Sequence, residues 1–138
     1  MMYDEGLVAP MREELTDLGI KETRTAAEVD QMINGTKGSL LVVVNSVCGC
    51  AAANARPAVA AAMKHSKLPS ESLTVFAGND AEATARVRSY FVGYHPSSPQ
   101  IALLKDGEVV FMLERHNISG RSADDIAADM VSAFDTFC

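Results

Sequence analysis

Two cysteines separated by a single glycine, Cys48-Gly49-Cys50, are the residues of this chain best placed to do chemistry. They follow an unbroken apolar run, Leu40 to Val44, and precede an alanine-rich stretch from Ala51 to Met63. That order predicts a buried strand, a sharp turn carrying two thiols, and a helix. Thiols at a helix start meet unpaired backbone N–H groups and the positive end of the dipole. Both favour the thiolate, which is the form that attacks disulfides and binds metals. Two other readings of the pair exist. Free cysteines are among the most often buried residues, so the two could be simple packing groups. They could also hold zinc or a soft metal together with Cys138 or a histidine. No second cysteine pair stands at ligand spacing, and the helix-start position favours thiol–disulfide exchange. A Cys48–Cys50 disulfide would close a small ring, and strain makes such a bond easier to reduce. Gly49 is expected to ease that strain by adopting backbone angles other residues avoid.

The elements that must position this pair can be read from periodicity and punctuation. Leu7, Met11, Leu15 and Leu18 predict one face of a first helix, stopped at Gly19. Ile20 to Arg24 is a short candidate strand. Thr25 with Glu28 forms a capping box for a second helix whose apolar face is Val29, Met32 and Ile33, ended by Asn34-Gly35. Leu40 to Val44 is apolar on both faces, as a central parallel strand would be. The helix after the cysteines is expected from about Cys50 to His65, bent at Pro57. Leu73 to Ala77 predicts a further strand, and Asn79 a helix cap with Glu82 three residues on. Ile101 to Leu104 and Val109 to Leu113 flank Lys105-Asp106-Gly107-Glu108, whose Asp-Gly pair is the strongest hairpin signal in the chain. Ser122 caps a last helix with Ile126, Met130, Phe134 and Phe137 on its inner face.

The chain has 138 residues, enough for one domain with an ample core, and residues 1–138 are read as one unit. Its three cysteines do not resemble a secreted disulfide framework. The opening Met1-Met2-Tyr3-Asp4-Glu5-Gly6 lacks a basic and an apolar region, so no signal peptide is expected. No apolar run approaches the ~20 residues of a membrane span. These features predict a cytoplasmic protein with no membrane partner. The formal net charge of −6 and the absence of Trp disfavour a nucleic-acid surface.

The element order resembles the thioredoxin fold, with the dithiol between the first central strand and its helix. Ser98-Pro99-Gln100-Ile101-Ala102-Leu103-Leu104-Lys105-Asp106-Gly107-Glu108 resembles the thioredoxin segment in which a cis-proline precedes a strand and an acidic-glycine hairpin. Pro99 matches the cis-proline and Pro57 the proline that kinks the active-site helix. The expected fold class is α/β: a thioredoxin-like three-layer fold, with a mixed central sheet flanked by helices and an extra N-terminal helix. Thioredoxins carry two residues between their cysteines, and this chain carries one. Asn45-Ser46-Val47-Cys48-Gly49-Cys50-Ala51-Ala52-Ala53-Asn54-Ala55-Arg56-Pro57 resembles instead the bacilliredoxin family, small thioredoxin-like proteins with a Cys-Gly-Cys site. The resemblance extends over essentially the whole chain, from Tyr3-Asp4 to Asp135-Thr136-Phe137-Cys138.

That resemblance implies a thiol–disulfide oxidoreductase that removes bacillithiol from mixed disulfides on protein cysteines. It implies no metal and no organic prosthetic group; bacillithiol is a co-substrate and bacillithiolated proteins are the partners. Cys48 is then the nucleophile, and the adduct is resolved either by Cys50, the candidate resolving thiol, or by a second small thiol. Gly49, Ser98, Pro99 and Arg56 are the expected substrate-binding residues: Ser98 through backbone groups offered to an incoming strand, Arg56 through attraction of an acidic thiol. Weak general disulfide reduction or isomerisation, and metal binding without catalysis, are the alternatives. His95, shortly before Pro99, is a candidate stabiliser of a thiolate. Cys138 is either an inert terminal thiol or a second resolving group. Asn45 and Asn54 match the family motif without an independent chemical role.

Overall fold

The computed structural model describes residues 2–138. Its elements run α1 (Glu5–Thr16), β1 (Lys21–Glu22), α2 (Ala26–Gly35), β2 (Ser39–Asn45), a π-helical turn (Ala51–Ala55), α3 (Arg56–Ala62), β3 (Glu71–Phe76), α4 (Ala81–Tyr90), β4 (Gln100–Lys105), β5 (Glu108–Leu113), α5 (Arg115–Ile118) and α6 (Ala123–Phe137). One five-stranded sheet forms in the order β1-β3-β2-β4-β5. β2 pairs in parallel with β3, Val42 opposite Leu73, and antiparallel with β4, Val42 opposite Ala102. The expected mixed sheet is therefore present, and β2 is its centre.

Every residue of β2 is buried because both of its faces are covered. Leu41 and Val43 point into a cluster with Val59 of α3, Leu15 of α1, and Ile126, Met130 and Phe134 of α6. Leu40, Val42 and Val44 point the other way, onto Val29 and Ile33 of α2 and Val87 of α4. Alternate side chains on opposite faces, both apolar, are what a strand sandwiched between helical layers requires. The Thr25–Glu28 capping box and the Ser122 cap of α6 form as expected. The β4–β5 connection turns at Asp106 and Gly107, whose φ values of 51° and 83° fit the turn that suits the strands' twist.

Three local expectations are corrected. The buried face of α1 is Val8, Arg12 and Leu15, and Leu7 is left exposed. Burial of an arginine rotates the helix from its purely apolar face. Arg12 pairs with Asp80 at 2.8 Å, Glu5 at 2.7 Å and Glu22 at 2.7 Å, and lies over the Phe76 ring. Asn79 does not cap α4. Asp80 holds the N-cap position, and Asn79 instead accepts from Tyr3 N–H at 2.7 Å and donates to Tyr3 C=O at 3.0 Å. The helix after the cysteines starts as a π turn, in which Arg56 N–H donates to Ala51 C=O, and becomes α-helical only at Arg56. Pro57 then sits in the first α-turn, where a missing N–H costs least. The four-residue α5 has no counterpart among the elements expected from sequence.

Candidate active site: the Cys48–Cys50 dithiol

The sheet gathers one set of strand ends. β2 finishes at Asn45 beside the finish of β3 at Phe76, and β4 begins at Gln100 beside the finish of β5 at Leu113. Ser46 to Cys50, Ala77-Gly78, Ser98-Pro99 and Arg115 therefore emerge at one edge. The Ser98–Pro99 peptide is cis, Pro99 is buried, and Ser98 is half-buried. Between these segments lies an open depression of about 330 Å³, lined by Cys48, Ser46, Ser98, Tyr3, Arg88 and Arg115, among others.

Both cysteines are free, and their sulfurs lie 2.6 Å apart, in contact, with either thiol able to donate to the other. Ser46 Oγ donates to Cys48 Sγ at 3.3 Å and accepts from Cys48 N–H at 3.4 Å. Burial raises the cost of ionising Cys48. The Cys50 thiol, the Ser46 hydroxyl and the N–H groups of Ala51 and Cys50 outweigh it and hold the Cys48 pKa below the ordinary thiol range. Cys50 moves the opposite way: burial, its bond to Cys48 and the charge on Cys48 raise its pKa, against a weaker pull from Arg115. The two sulfurs thus share one site and divide the work, one poised to be anionic and the other to be a proton donor. Cys48, not Cys50, lines the depression.

The turn that carries them is anchored from below. Asn45 Nδ2 donates to Met11 C=O at 3.1 Å, and Asn45 Oδ1 accepts from Ser46 N–H at 2.9 Å. Arg56 donates to Asn45 Oδ1 at 3.0 Å and to Ser46 C=O at 2.8 Å, and pairs with Glu14 at 3.0 Å. Arg56 is 3% exposed and does not line the depression, so the expected contact with an incoming thiol is corrected. Its charge is drawn inward by three acceptors that satisfy it, and its place is beneath the turn. Asn54 Nδ2 donates to Arg121 C=O and ties the π turn to the approach of α6.

The other candidates separate from the site. His95 is exposed and does not line the depression. Cys138 packs at the end of α6 against the cluster of α3, α6 and β2, away from that depression. Gly49 is exposed, its φ lies outside the left-handed region, and a Cβ on it would meet nothing within 4 Å. The glycine is therefore not needed for its backbone angles in this dithiol state. Ala52 and Ala53 beside it are exposed too. Sequence reasoning missed Arg88, Arg115 and Tyr3, which reach the site from α4, the start of α5 and the N-terminal segment. Among the described residues no cluster of three or more potential metal ligands forms.

A dithiol at the finish of a central strand, facing a cis-proline on a mixed sheet between helical layers, defines the thioredoxin-fold class. Solved structures agree on the fold. The chain is similar to the thioredoxin-like domain of Arabidopsis NCP, with a TM-score of 0.59 and 16% identity over 86% of this chain and 79% of that one. It is also similar to Fasciola hepatica thioredoxin, with a TM-score of 0.54 and 17% identity over 83% and 99%. Within that class, a protein-family model described as "Disulphide isomerase" matches residues 3–138. A bacilliredoxin of Koribacter versatilis is 55% identical over 99% of this chain and 94% of its own length. Those of Salinibacter ruber and Geobacillus kaustophilus are 52% and 50% identical, over 100% and 99% of this chain and 82% and 94% of their own lengths. The chain belongs to the bacilliredoxin family and is a thiol–disulfide oxidoreductase. Among the described residues no helix is long and apolar enough to cross a membrane.

Proposed function

We propose that this oxidoreductase removes bacillithiol from mixed disulfides on protein cysteines, with Cys48 as nucleophile. The observation that carries the reading is the asymmetry of the thiol pair. The sulfur whose anion is stabilised opens onto a depression of small-molecule size, and its neighbour is held above the ordinary thiol range by burial and by Cys48. The Cys48 thiolate attacks the small-thiol sulfur of a protein–S–S–R disulfide. A Cys48–S–S–R bond forms as the original S–S bond breaks. The protein cysteine leaves as a thiolate and takes a proton from solvent. Cys50 resolves the adduct by losing its proton and attacking Cys48 Sγ, which forms the internal disulfide and releases R–S⁻. Alternatively a second small thiol attacks the adduct, releasing Cys48 and forming R–S–S–R. In this scheme Ser98, before the cis Pro99, offers its backbone groups to an extended segment of the target.

The test is release of bacillithiol from one protein carrying it as a mixed disulfide. The expected outcome is that Cys48→Ser releases none, and that Cys50→Ala performs a single turnover and retains the adduct, visible as a mass increase. The same target carrying glutathione should be stripped more slowly. Equal rates would remove the preference for bacillithiol. Full activity in Cys48→Ser would overturn the assignment, as would reduced protein that exchanges no thiols and instead holds near-stoichiometric metal through both sulfurs. The description of the matching family model favours one second reading, disulfide isomerisation. Recovery of activity from a protein with scrambled disulfides, at a rate exceeding removal of the small thiol, would favour it.

A further inference from the structure

Seven arginines occur in this chain, and two of them differ from the rest. Arg12, Arg24, Arg56, Arg86 and Arg121 each lie within 4 Å of a carboxylate. Among the described residues, Arg88 and Arg115 have no such partner, although acidic residues outnumber basic ones by 18 to 12. Both unpaired arginines line the Cys48 depression. They reach it from different elements, Arg88 from α4 and Arg115 from the start of α5.

Arg88 is held in place. One of its terminal nitrogens donates to Ser97 C=O at 3.1 Å, just before the cis Pro99, and its Nε is buried with no acceptor. A buried guanidinium N–H without a partner is costly, so Arg88 holds its charge beside the depression with none of its donors turned to a carboxylate. Arg115 is exposed, its backbone N–H donates to Ser97 Oγ at 3.3 Å, and its charge acts on Cys50, so it lies within Coulomb reach of the dithiol. Two planar forks beside one sulfur are suited to carboxylates, which they bind in pairs of parallel hydrogen bonds.

We propose that Arg88 and Arg115 form a carboxylate-binding subsite that selects the small-thiol half of the mixed disulfide, favouring thiols that carry acid groups. This deepens the proposed function and rests on it. The acid groups of the small thiol settle between the two guanidiniums, and its sulfur is thereby placed over Cys48 Sγ for transfer while the target cysteine leaves. That geometry also decides which sulfur of the disulfide is attacked, because the subsite holds the small thiol and the target protein stays outside. Ser46, Ser98 and Tyr3 line the rest of the depression, where the uncharged remainder lies.

The experiment uses the full chain carrying Cys50→Ala, so that reaction stops at the adduct. Rates of adduct formation on Cys48 are measured by mass with the symmetrical disulfides of 2-mercaptosuccinate and of 1-thioglycerol, similar in size and differing in charge. The expected result is a dicarboxylate-to-neutral rate ratio that falls about tenfold on Arg115→Ala, the loss of one charge-assisted contact. Arg88→Ala should lower it at least as far, and Arg115→Lys should retain part of it. Rising salt should lower the ratio in the parent and far less in Arg115→Ala. Alkylation by neutral iodoacetamide reads the thiolate itself and should stay within about threefold in Arg115→Ala. Arg115 is exposed, so its variants remain informative if Arg88→Ala fails to fold. An unchanged ratio in Arg115→Ala overturns the proposal. So does a parallel fall in the neutral disulfide and iodoacetamide rates, which would make the arginine a modulator of thiol acidity only. A defect confined to protein substrates would overturn it in favour of an acidic target surface. A parent protein that prefers the dicarboxylate yet strips no protein adduct would leave the subsite standing and remove the proposed function.

Discussion

Removing the Ser46 hydroxyl tests how the site stabilises its anion. Ser46 Oγ is one of four donors that lower the Cys48 pKa against the effect of burial, and it lies 3.3 Å from Sγ. A hydrogen bond to a charged group contributes ~1.5–3 kcal/mol. Sulfur is a diffuse acceptor and the site is open to water, so the lower end applies, and ~1.4 kcal/mol is tenfold in an ionisation constant. Ser46→Ala should therefore cut the thiolate fraction of Cys48 near neutral pH by about tenfold where ionisation is far from complete. The assay is the pH dependence of iodoacetamide alkylation, followed by peptide mass with Cys138 replaced by Ser so that the third thiol does not report. The sign is fixed by the direction of the pKa change. A lowered pKa keeps Cys48 reactive at pH values below the ordinary thiol range, and reactivity is lost as pH falls through that lowered value. In Ser46→Ala the loss begins at higher pH, while the plateau at high pH is unchanged or slightly raised. Cys50→Ala should move the profile further, because the Cys50 thiol is the strongest stabilising donor. The raised pKa of Cys50 means that its own alkylation appears only above the range in which Cys48 reacts. Profiles for Ser46→Ala and Cys50→Ala that both overlay the parent would refute the idea that local donors hold the thiolate. Cys50 alkylating before Cys48 would reverse the two roles.

Arg12→Ala leaves Asp80, 6% exposed, without its buried partner, so thermal unfolding should show a loss of ~3–5 kcal/mol, roughly 10–20 °C in Tm. Asn79→Ala removes both bonds that hold the Tyr3 backbone, and amide exchange at Tyr3 should rise while global stability falls by only ~1–2 kcal/mol. Gly107→Ala forces a side chain into a left-handed position and should cost ~1–2 kcal/mol in denaturant unfolding. Gly49→Ala, with open space and no such angle, should change the stability of the reduced protein by less than ~0.5 kcal/mol; a cost as large as that of Gly107→Ala would show that Gly49 is conformationally required after all.

The fold is legible where one local signal matches the final environment. Leu40 to Val44 reads as a strand buried on both faces because it is one, and Asp106-Gly107 reads as a turn because few other pairs accept its angles. Thr25 with Glu28, and Ser122, satisfy helix ends through neighbours in sequence. Legibility fails where a distant partner decides. Arg12 counts as polar in any periodicity, and only Asp80, brought close by β3, explains why it faces inward. Asn79 has the chemistry of a cap, and the Tyr3 backbone claims its side chain. At the site, the cysteine pair and the proline segment are contiguous motifs. Arg88 and Arg115 have no local signature and line one depression only because α4 and the start of α5 converge on it. Arg56 stands beside the motif and reads as a charge free to meet a substrate, but Asn45, Ser46 and Glu14 draw it beneath the turn.

The small residues around the dithiol have a consequence for the breadth of clients the protein can serve. Next to Cys48 in the chain, Gly49, Ala52 and Ala53 are all exposed, and none has a side chain longer than a methyl group. Such a surface makes few steric demands, so a folded protein can bring a recessed cysteine close without meeting bulky groups. It also offers few specific contacts by which one client could be preferred over another. Under the proposed function, discrimination would fall to the wall where the arginines and the cis-proline loop stand. On the proposed reading, one wall would admit many proteins and the other would inspect what those proteins carry.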